Sequence, residues 1–145
     1  MGKALDLDLQ LCFSVYAAAH AFNRFYKPLL APLGLTYPQY LVLLVLWKGD
    51  GVPLGSIGER LGLDSGTLTP LLKRMETMGL VARQRAAGDE RQVLVSLTER
   101  GRALEARAAN FPVAIGQAAG CSAIELDDLR QRLFALGRQL DAAIA

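Results

Sequence analysis

Between Pro53 and Thr98 the apolar residues change their period once, and that change limits the folds open to the chain more than any other feature. In VPLGSIGERLGLDSGTLTPLLKRMETMGL the hydrophobic positions recur three and four residues apart, the repeat of one face of an α-helix. Gly62 interrupts the pattern, and Asp64 or Ser65 offers a side-chain oxygen to cap the second stretch. The spacing predicts two short helices, from about Pro53 to Leu61 and from Ser65 to Met78, joined by a tight turn. After Gly79 the period falls to two. LVARQRA and QVLVSLT alternate as half-buried strands, and AGDER between them has turn chemistry. Two helices across a glycine turn, followed by a basic hairpin, make a winged helix-turn-helix. The fold class is therefore mainly α with a small β-hairpin wing.

The flanking segments are helical. From Leu5 to Leu30 apolar residues keep helical spacing, with Pro28 and Pro32 near the end, which predicts one long first helix. TYPQYLVLLVLWKGDG opens with Thr36 three residues before Gln39, a capping-box pattern, and tolerates Pro38 in its first turn. It is hydrophobic nearly all round and is predicted to be buried. A further helix runs from Thr98 to about Ala119, with distortion expected at Pro112; Gly120 stops it. Ser122 and Glu125 then repeat the capping box before a last amphipathic helix, ELDDLRQRLFALGRQLDAAI. The stripes at both chain ends carry more apolar surface than a small lobe can cover. Residues 1–145 are read as one domain: dimerisation helices at 1–35 and 99–145 flank a DNA-binding lobe at 36–98, and the working form is a homodimer.

Composition removes several classes. With 52% hydrophobic and 21% charged residues among 145, the chain can bury a core and is not disordered. Its longest apolar run, LVLLVLW at 41–47, is too short to span a bilayer, and the N-terminus lacks a basic, apolar signal. A cytoplasmic protein with no membrane partner is expected. Two cysteines make no disulfide scaffold, and in a reducing compartment their default is two buried, inert thiols. His20 has no Cys, Asp or Glu at ligand spacing, so it reads as a surface or interface residue. No phosphate loop, paired catalytic carboxylates or Ser-His-Asp arrangement is visible. The chain is expected to be no enzyme, with no catalytic residues, metal or cofactor.

Charge is uneven. Residues 73–102 hold seven Lys or Arg against four Asp or Glu, an excess of three in a chain of net charge +2, which leaves the remainder at −1. Such a patch suits a polyanion, although it could also be a solvated face. The second helix of the motif should enter a major groove of double-stranded DNA. There Ser65, Thr67 and Thr69 could meet phosphates and bases and Pro70 a thymine methyl, unless they serve only as caps and packing. Leu68, Leu71, Leu72 and Met75 belong to the core. Lys73 and Arg74 lie later and suit phosphate. Arg85 and Arg91 flank the hairpin tip, where they could reach a minor groove. A two-fold dimer requires a pseudo-palindromic operator with half-sites about one helical turn apart.

The wing segment GDERQVLVSLTERG, with Asp89, Arg91, Leu97, Thr98 and Gly101, resembles the signature of the MarR family of dimeric winged-helix transcription regulators. LTYPQYLVLL at 35–44, LDSGTLTPLLKRME at 63–76 and the cysteine of LCFSVY resemble the organic hydroperoxide sensors of that family, the OhrR branch. For the wing, the resemblance implies that Asp89 orients the hairpin and that Arg91 is partly structural, which favours Arg85 for direct DNA contact.

For the thiols, the residues alone say that Cys12 and Tyr16 share a helix face, that Tyr26 and Tyr37 are further phenols able to donate to a thiolate, and that Tyr40 suits the core. The resemblance implies more: Cys12 is the peroxide-reactive thiol, and Tyr26 and Tyr37 reach it from across the dimer. Phe13, with Leu9 and Phe22, makes an apolar surround suited to an organic hydroperoxide. Cys121 precedes the cap of the last helix, where a loop permits movement and the helix dipole favours a thiolate. That resembles the two-cysteine sensors, whose oxidised state is locked by an intersubunit disulfide; alternatively, Cys121 is a spacer and oxidised Cys12 takes a small cellular thiol. The expected function is a repressor that releases its operator on oxidation. One rival is a MarR-type regulator answering a small aromatic ligand with both thiols inert. Another is a thiol peroxidase, in which the winged helix and basic segment would have no purpose.

Overall fold

The computed structural model describes residues 2–145. They form two compact units, one up to Ala106 and the other from Arg107 onward.

The first unit opens with two 3-10 turns, Gly2–Leu5 and Leu7–Leu9, before helix α1, Leu11–Leu30. The long helix expected from Leu5 therefore starts six residues later, and local hydrogen bonds explain the delay. Asp6 accepts the Asp8 N–H at 3.0 Å, and the Gln10 side-chain amide donates to the Ala4 and Asp6 carbonyls at 2.8 and 3.1 Å. These side-chain bonds compete with helical pairing and leave Gln10 extended at the helix entry.

Helix α2, Tyr37–Lys48, carries the expected capping box: the Thr36 hydroxyl accepts the Gln39 N–H, and the Gln39 side chain accepts the Thr36 N–H at 3.0 Å. It is buried along most of its surface, with only Leu44 of its large aliphatic residues well exposed.

Helix α3, Leu54–Leu61, ends on Gly62, whose φ of 68° makes the left-handed turn between the motif helices. Asp64 caps α4, Ser65–Thr77, by accepting the Thr67 N–H at 2.8 Å. The sheet adds a strand that two residues could not announce in sequence. Strand β1, Val52–Pro53, pairs with β3, Asp89–Leu97, which pairs with β2, Val81–Ala86, all antiparallel, with Val52 opposite Val95 and Val81 opposite Leu97. Proline is tolerated on β1 because the strand is an edge.

The hairpin turn is shorter than expected. It comprises Ala87 and Gly88 alone, and Asp89 to Arg91 belong to β3. Pairing slips between Arg85, opposite Val93, and Ala86, opposite Asp89. This irregularity takes Glu90 out of the regular ladder, and the Arg85 guanidinium donates to its carbonyl.

Leu43 and Leu46 of α2, Ile57 of α3, Leu68, Leu72 and Met75 of α4, and Val81 and Val95 of the sheet are at most 1% exposed. Leu71, expected among them, is only half-buried. Helix α5, Glu99–Ala108, starts against this core.

In the second unit, the helix expected to run to Ala119 is broken at residues 109–110. Helix α6, Phe111–Ala119, begins afresh with Pro112 in its first turn, where a missing N–H costs nothing. After Gly120, helix α7, Ala123–Ile144, is capped by Ser122 and Glu125 in the expected box. Leu129, Leu133, Phe134 and Leu140 of α7 are exposed.

Among the glycines, Gly101 makes the closest approach to a neighbouring backbone. A Cβ there would stand 2.2 Å from the Leu80 carbonyl oxygen and 3.1 Å from the Leu97 side chain. Backbone cannot swing aside as a side chain can, so Gly101→Ala should destabilise the fold by about 1–3 kcal/mol. Urea melts of the two proteins at one fixed chain concentration measure this, and coincident midpoints would contradict it.

Candidate nucleic-acid interface and thiol site

Helix α4 divides into two faces. Leu68, Leu72 and Met75 are buried, while Ser65, Thr67, Pro70, Lys73 and Arg74 are exposed and Thr69 is half-buried. Because Asp64 is the cap, the Ser65 hydroxyl is not needed for that purpose.

The seven basic residues of 73–102 separate by what they hold. Arg83 pairs with Glu76 at 3.1 Å and ties β2 to the end of α4. Arg100 donates to the Met78 carbonyl at 3.0 Å, Arg102 pairs with Asp50 at 2.6 Å, and Arg85 closes the hairpin irregularity. The side chains of Lys73, Arg74 and Arg91 have no hydrogen-bond or ion-pair partner among the described residues. Asp89 accepts the Arg91 backbone N–H at 3.0 Å, leaving the guanidinium available. The aspartate thus shapes the tip without pinning the arginine's charge. Asp89 and Arg91 also line a groove that runs from the wing to Pro53–Ser56 at the start of α3.

A cluster that the sequence did not single out fixes the base of the wing. The Asp50 carboxylate accepts the Gly51 N–H at 2.9 Å, the Leu97 N–H at 2.8 Å and the Arg102 guanidinium. One turn earlier, the Trp47 indole donates to the Gly101 carbonyl at 3.0 Å.

Both thiols are exposed, so the default of two buried cysteines is corrected. The late start of α1 places Cys12 in its first turn, preceded by Gln10, which gives no side-chain cap. An anion formed there faces backbone N–H groups without helical acceptors. Phe13 and Tyr16 stack beside it with ring centroids 6.4 Å apart, and His20, exposed as expected, lies 4.3 Å from Tyr16.

Tyr26, near the far end of α1, and Tyr37, first in α2, are half-buried with centroids 4.9 Å apart. Tyr40 is buried, as expected, among aromatic rings. Its ring lies 5.6 Å from Tyr26, 6.1 Å from Tyr37 and 6.2 Å from Trp47. Burial pushes all three phenols above their ordinary range; for Tyr26, Tyr40 and Tyr37 add to the effect, so each keeps its proton at neutral pH.

In the second unit, Cys121 sits between Gly120 and the α7 cap, and its thiol donates to the Ala119 carbonyl at 3.4 Å. No cluster of three or more His, Cys, Asp or Glu suited to a metal occurs among the described residues, and no single helix there is long and apolar enough to cross a membrane.

Comparison with known proteins settles the family. Residues 24–107 match the family model described as transcriptional regulator SarA/Rot. The chain is 48% identical over 132 residues to the organic hydroperoxide resistance transcriptional regulator of Bacillus subtilis, covering 91% of this chain and 88% of that one. It belongs to the MarR/SarA-type winged-helix transcription regulators. The regulator is also 54% identical over 136 residues to the HTH-type transcriptional regulator TtmR of Methylorubrum extorquens, covering 94% of this chain and 68% of TtmR. Among solved structures, reduced AbfR bound to DNA superposes with a TM-score of 0.79 at 36% identity over 99% of both chains. Disulfide-formed AbfR superposes at 0.63 with 41% identity, covering 90% and 91%. The expected family and fold class are borne out, and the family is one of DNA-binding transcription regulators, not enzymes.

The Asp50 cluster makes a pH prediction. Burial would raise this carboxyl, but the Leu97 N–H, the Arg102 guanidinium and the Gly51 N–H together hold it below the usual aspartate range. A depressed folded-state value adds stability above the unfolded-state value, and that contribution disappears as pH falls through the folded one. Asp50→Asn should therefore cost about 1 kcal/mol at pH 7, a figure kept small by partial exposure. Urea midpoints across a pH series should show the gap narrowing below about pH 3.8; a gap that stays constant into acid would remove the charge from the explanation.

Proposed function

We propose that the regulator represses transcription as a homodimer on a pseudo-palindromic operator and releases it when an organic hydroperoxide oxidises Cys12. The observation that carries this reading is an exposed cysteine in the first turn of a long helix, with a partly buried cluster of phenols at that helix's other end. Within one chain the two cannot meet: 14 positions of α1 separate Cys12 from Tyr26, about 21 Å at the helical rise. A second copy running antiparallel would bring the Tyr26 and Tyr37 hydroxyls of one subunit to the thiol of the other. Exposed Leu9, Leu11, Val15 and Phe22 in the first unit, and the α7 residues in the second, supply apolar surface for that dimer. The expected dimerisation helices, 1–35 and 99–145, carry these residues.

The chemistry balances without a cofactor. The Cys12 thiolate attacks the outer peroxide oxygen, the O–O bond breaks, and the alkoxide takes a proton to leave as an alcohol, giving a sulfenic acid. The Cys121 thiolate of the partner subunit then attacks the sulfenyl sulfur and expels hydroxide, which leaves as water, forming a disulfide. Two relatives support the reading by name: the Bacillus subtilis regulator is one of organic hydroperoxide resistance, and AbfR has been solved both reduced on DNA and with a disulfide.

On DNA, Ser65, Thr67, Thr69 and Pro70 of α4 face the major groove, Lys73 and Arg74 meet phosphate, and the wing brings Arg91 to the minor groove. Arg85 contributes as the brace of the hairpin through Glu90 as well as by charge, and Asp89 sets the tip.

Cys12→Ser should bind operator with parent affinity and keep it in tert-butyl hydroperoxide, whereas the parent lets go and rebinds with dithiothreitol. Release by Cys12→Ser would reject the thiol mechanism, and release by a small aromatic acid alone would favour the ligand-sensing rival. On non-reducing gels the oxidised parent should run as a covalent dimer that Cys121→Ser cannot form; a parent that loses its operator yet stays monomeric there would rule out the intersubunit lock.

Lys73→Ala, which removes a phosphate contact, and Arg91→Ala, which removes a cation from the minor groove, should each flatten the slope of log affinity against log salt by about 2, one cationic contact per subunit. Slopes unchanged by either substitution would take both residues out of the interface.

A further inference from the structure

The turn from α4 to β2 takes only residues 78–80, and its backbone is closed at the pivot. The Gly79 and Leu80 N–H groups donate to the Glu76 and Met75 carbonyls at 3.0 Å, while the Thr98 hydroxyl and the Arg100 guanidinium donate to the Gly79 and Met78 carbonyls at 2.6 and 3.0 Å. Bonds at a pivot have little leverage over the angle between its two arms. That angle matters, because α4 and the wing are the parts of the lobe that the proposed reading sends into different grooves of one duplex.

Glu76 and Arg83 meet across the arms. One carboxylate oxygen of Glu76, in the last turn of α4, accepts both the Arg83 backbone N–H and its Nε at 3.1 Å. The sheet order β1-β3-β2 leaves one side of β2 without a neighbouring strand, so an outward-facing N–H on that side has no ladder partner. Because one of the two bonds ends on backbone, the carboxylate holds the strand itself and not only a flexible side chain. Among the described residues no other side-chain hydrogen bond joins α4 to β2. The Arg83 side chain, 24% exposed, is folded into this contact rather than held out towards a phosphate.

We propose that Glu76 is a positioning residue for DNA recognition: it sets the angle between α4 and the wing, and so favours the operator over other DNA although its own charge opposes a polyanion. The inference rests on the proposed DNA-binding face and adds to it a residue that touches no DNA. Two effects of opposite sign separate the possibilities. A carboxylate on a DNA-binding lobe weakens attraction to every duplex, so removing it should tighten binding if charge is all that it contributes. If it holds the angle, removing it should weaken binding to the one duplex whose grooves both elements must reach together.

The probes are a duplex selected by the parent dimer from a random-sequence pool and a scrambled duplex of the same composition. Glu76→Ala should bind the selected duplex about tenfold more weakly, from one exposed ion pair in each of two subunits, and the scrambled duplex no more weakly than the parent does. Glu76→Gln carries the same charge as Glu76→Ala but keeps an oxygen for the Arg83 N–H, so its loss should be smaller, about threefold. Arg83→Ala should weaken binding to the selected duplex without changing the slope against log salt, and Glu76→Ala/Arg83→Ala should bind no more weakly than Glu76→Ala.

Binding of the selected duplex by Glu76→Ala and Glu76→Gln as tight as the parent's, or tighter, would overturn the proposal, since the carboxylate would then act through charge alone. So would an equal loss on both duplexes, which is what a damaged fold produces, and so would a slope flattened by about 2 in Arg83→Ala, the mark of a phosphate contact. Lys73→Ala and Arg91→Ala on the same duplexes test the DNA-binding face itself. Slopes unchanged in both would reject that face and this inference with it; flattened slopes beside a Glu76→Ala of parent affinity would reject the role of Glu76 alone.

Discussion

The Asp50 carboxylate is the point on which the placement of the wing depends. It follows the buried helix α2 and accepts from three segments at once: its own turn at Gly51, the end of strand β3 at Leu97, and helix α5 at Arg102. The Trp47 indole repeats the connection one turn earlier, at Gly101. Because Gly101 has no side chain, α5 can press its backbone against Leu80, and the Leu80 carbonyl in turn accepts the Thr98 N–H at 3.1 Å. The hairpin is therefore held at its root by hydrogen bonds to a core helix as well as by its own ladder. A two-stranded hairpin alone would be marginal in water; joined to β1 and anchored in this way, it becomes a rigid part of the lobe.

That anchoring decides what the basic segment can do. Arg83, Arg85, Arg100 and Arg102 are engaged with Glu76, the Glu90 and Met78 carbonyls, and Asp50. Their guanidinium groups orient the wing and the helix that precedes it, and planar forks suit such work. The charges left over, on Lys73, Arg74 and Arg91, lie on the second helix of the motif and near the hairpin tip, the two places from which a winged helix reaches DNA. On the proposed reading, local positive charge in a sequence is a poor count of DNA contacts, because the same residue type both braces the wing and would equip it for DNA.

The fold was legible where a pattern has one physical cause. Both capping boxes, the glycine turn between α3 and α4 and the switch to period two appear where the sequence placed them, since each rests on residues within four positions of one another. The misses lie where the cause is non-local or too short to repeat. Strand β1 has two residues and exists only because β3 offers an edge. The late start of α1 depends on a glutamine folding back over the preceding turns. The candidate site was legible in its charged and sulfur-bearing residues but not in its partnerships: the Asp50 contacts span about fifty positions, and Arg85 finds a carbonyl exposed only by a slip in register.

Helix α1 joins these threads. Its start fixes Cys12 in a first turn, and its end carries Tyr26 into the cluster with Tyr40, which packs on Trp47 and through it reaches Gly101 at the root of the wing. On the proposed reading, the thiol of one subunit is read by the phenols of the other, so neither subunit can sense alone. The residues that meet the thiol would then stand two aromatic contacts away from the residues that hold the wing. A two-fold operator tolerates little change in the spacing of its two lobes, so even a small shift in α1 imposed by a disulfide would act on both lobes together. Sensing and DNA binding would be coupled through the dimer framework rather than through either site's own chemistry.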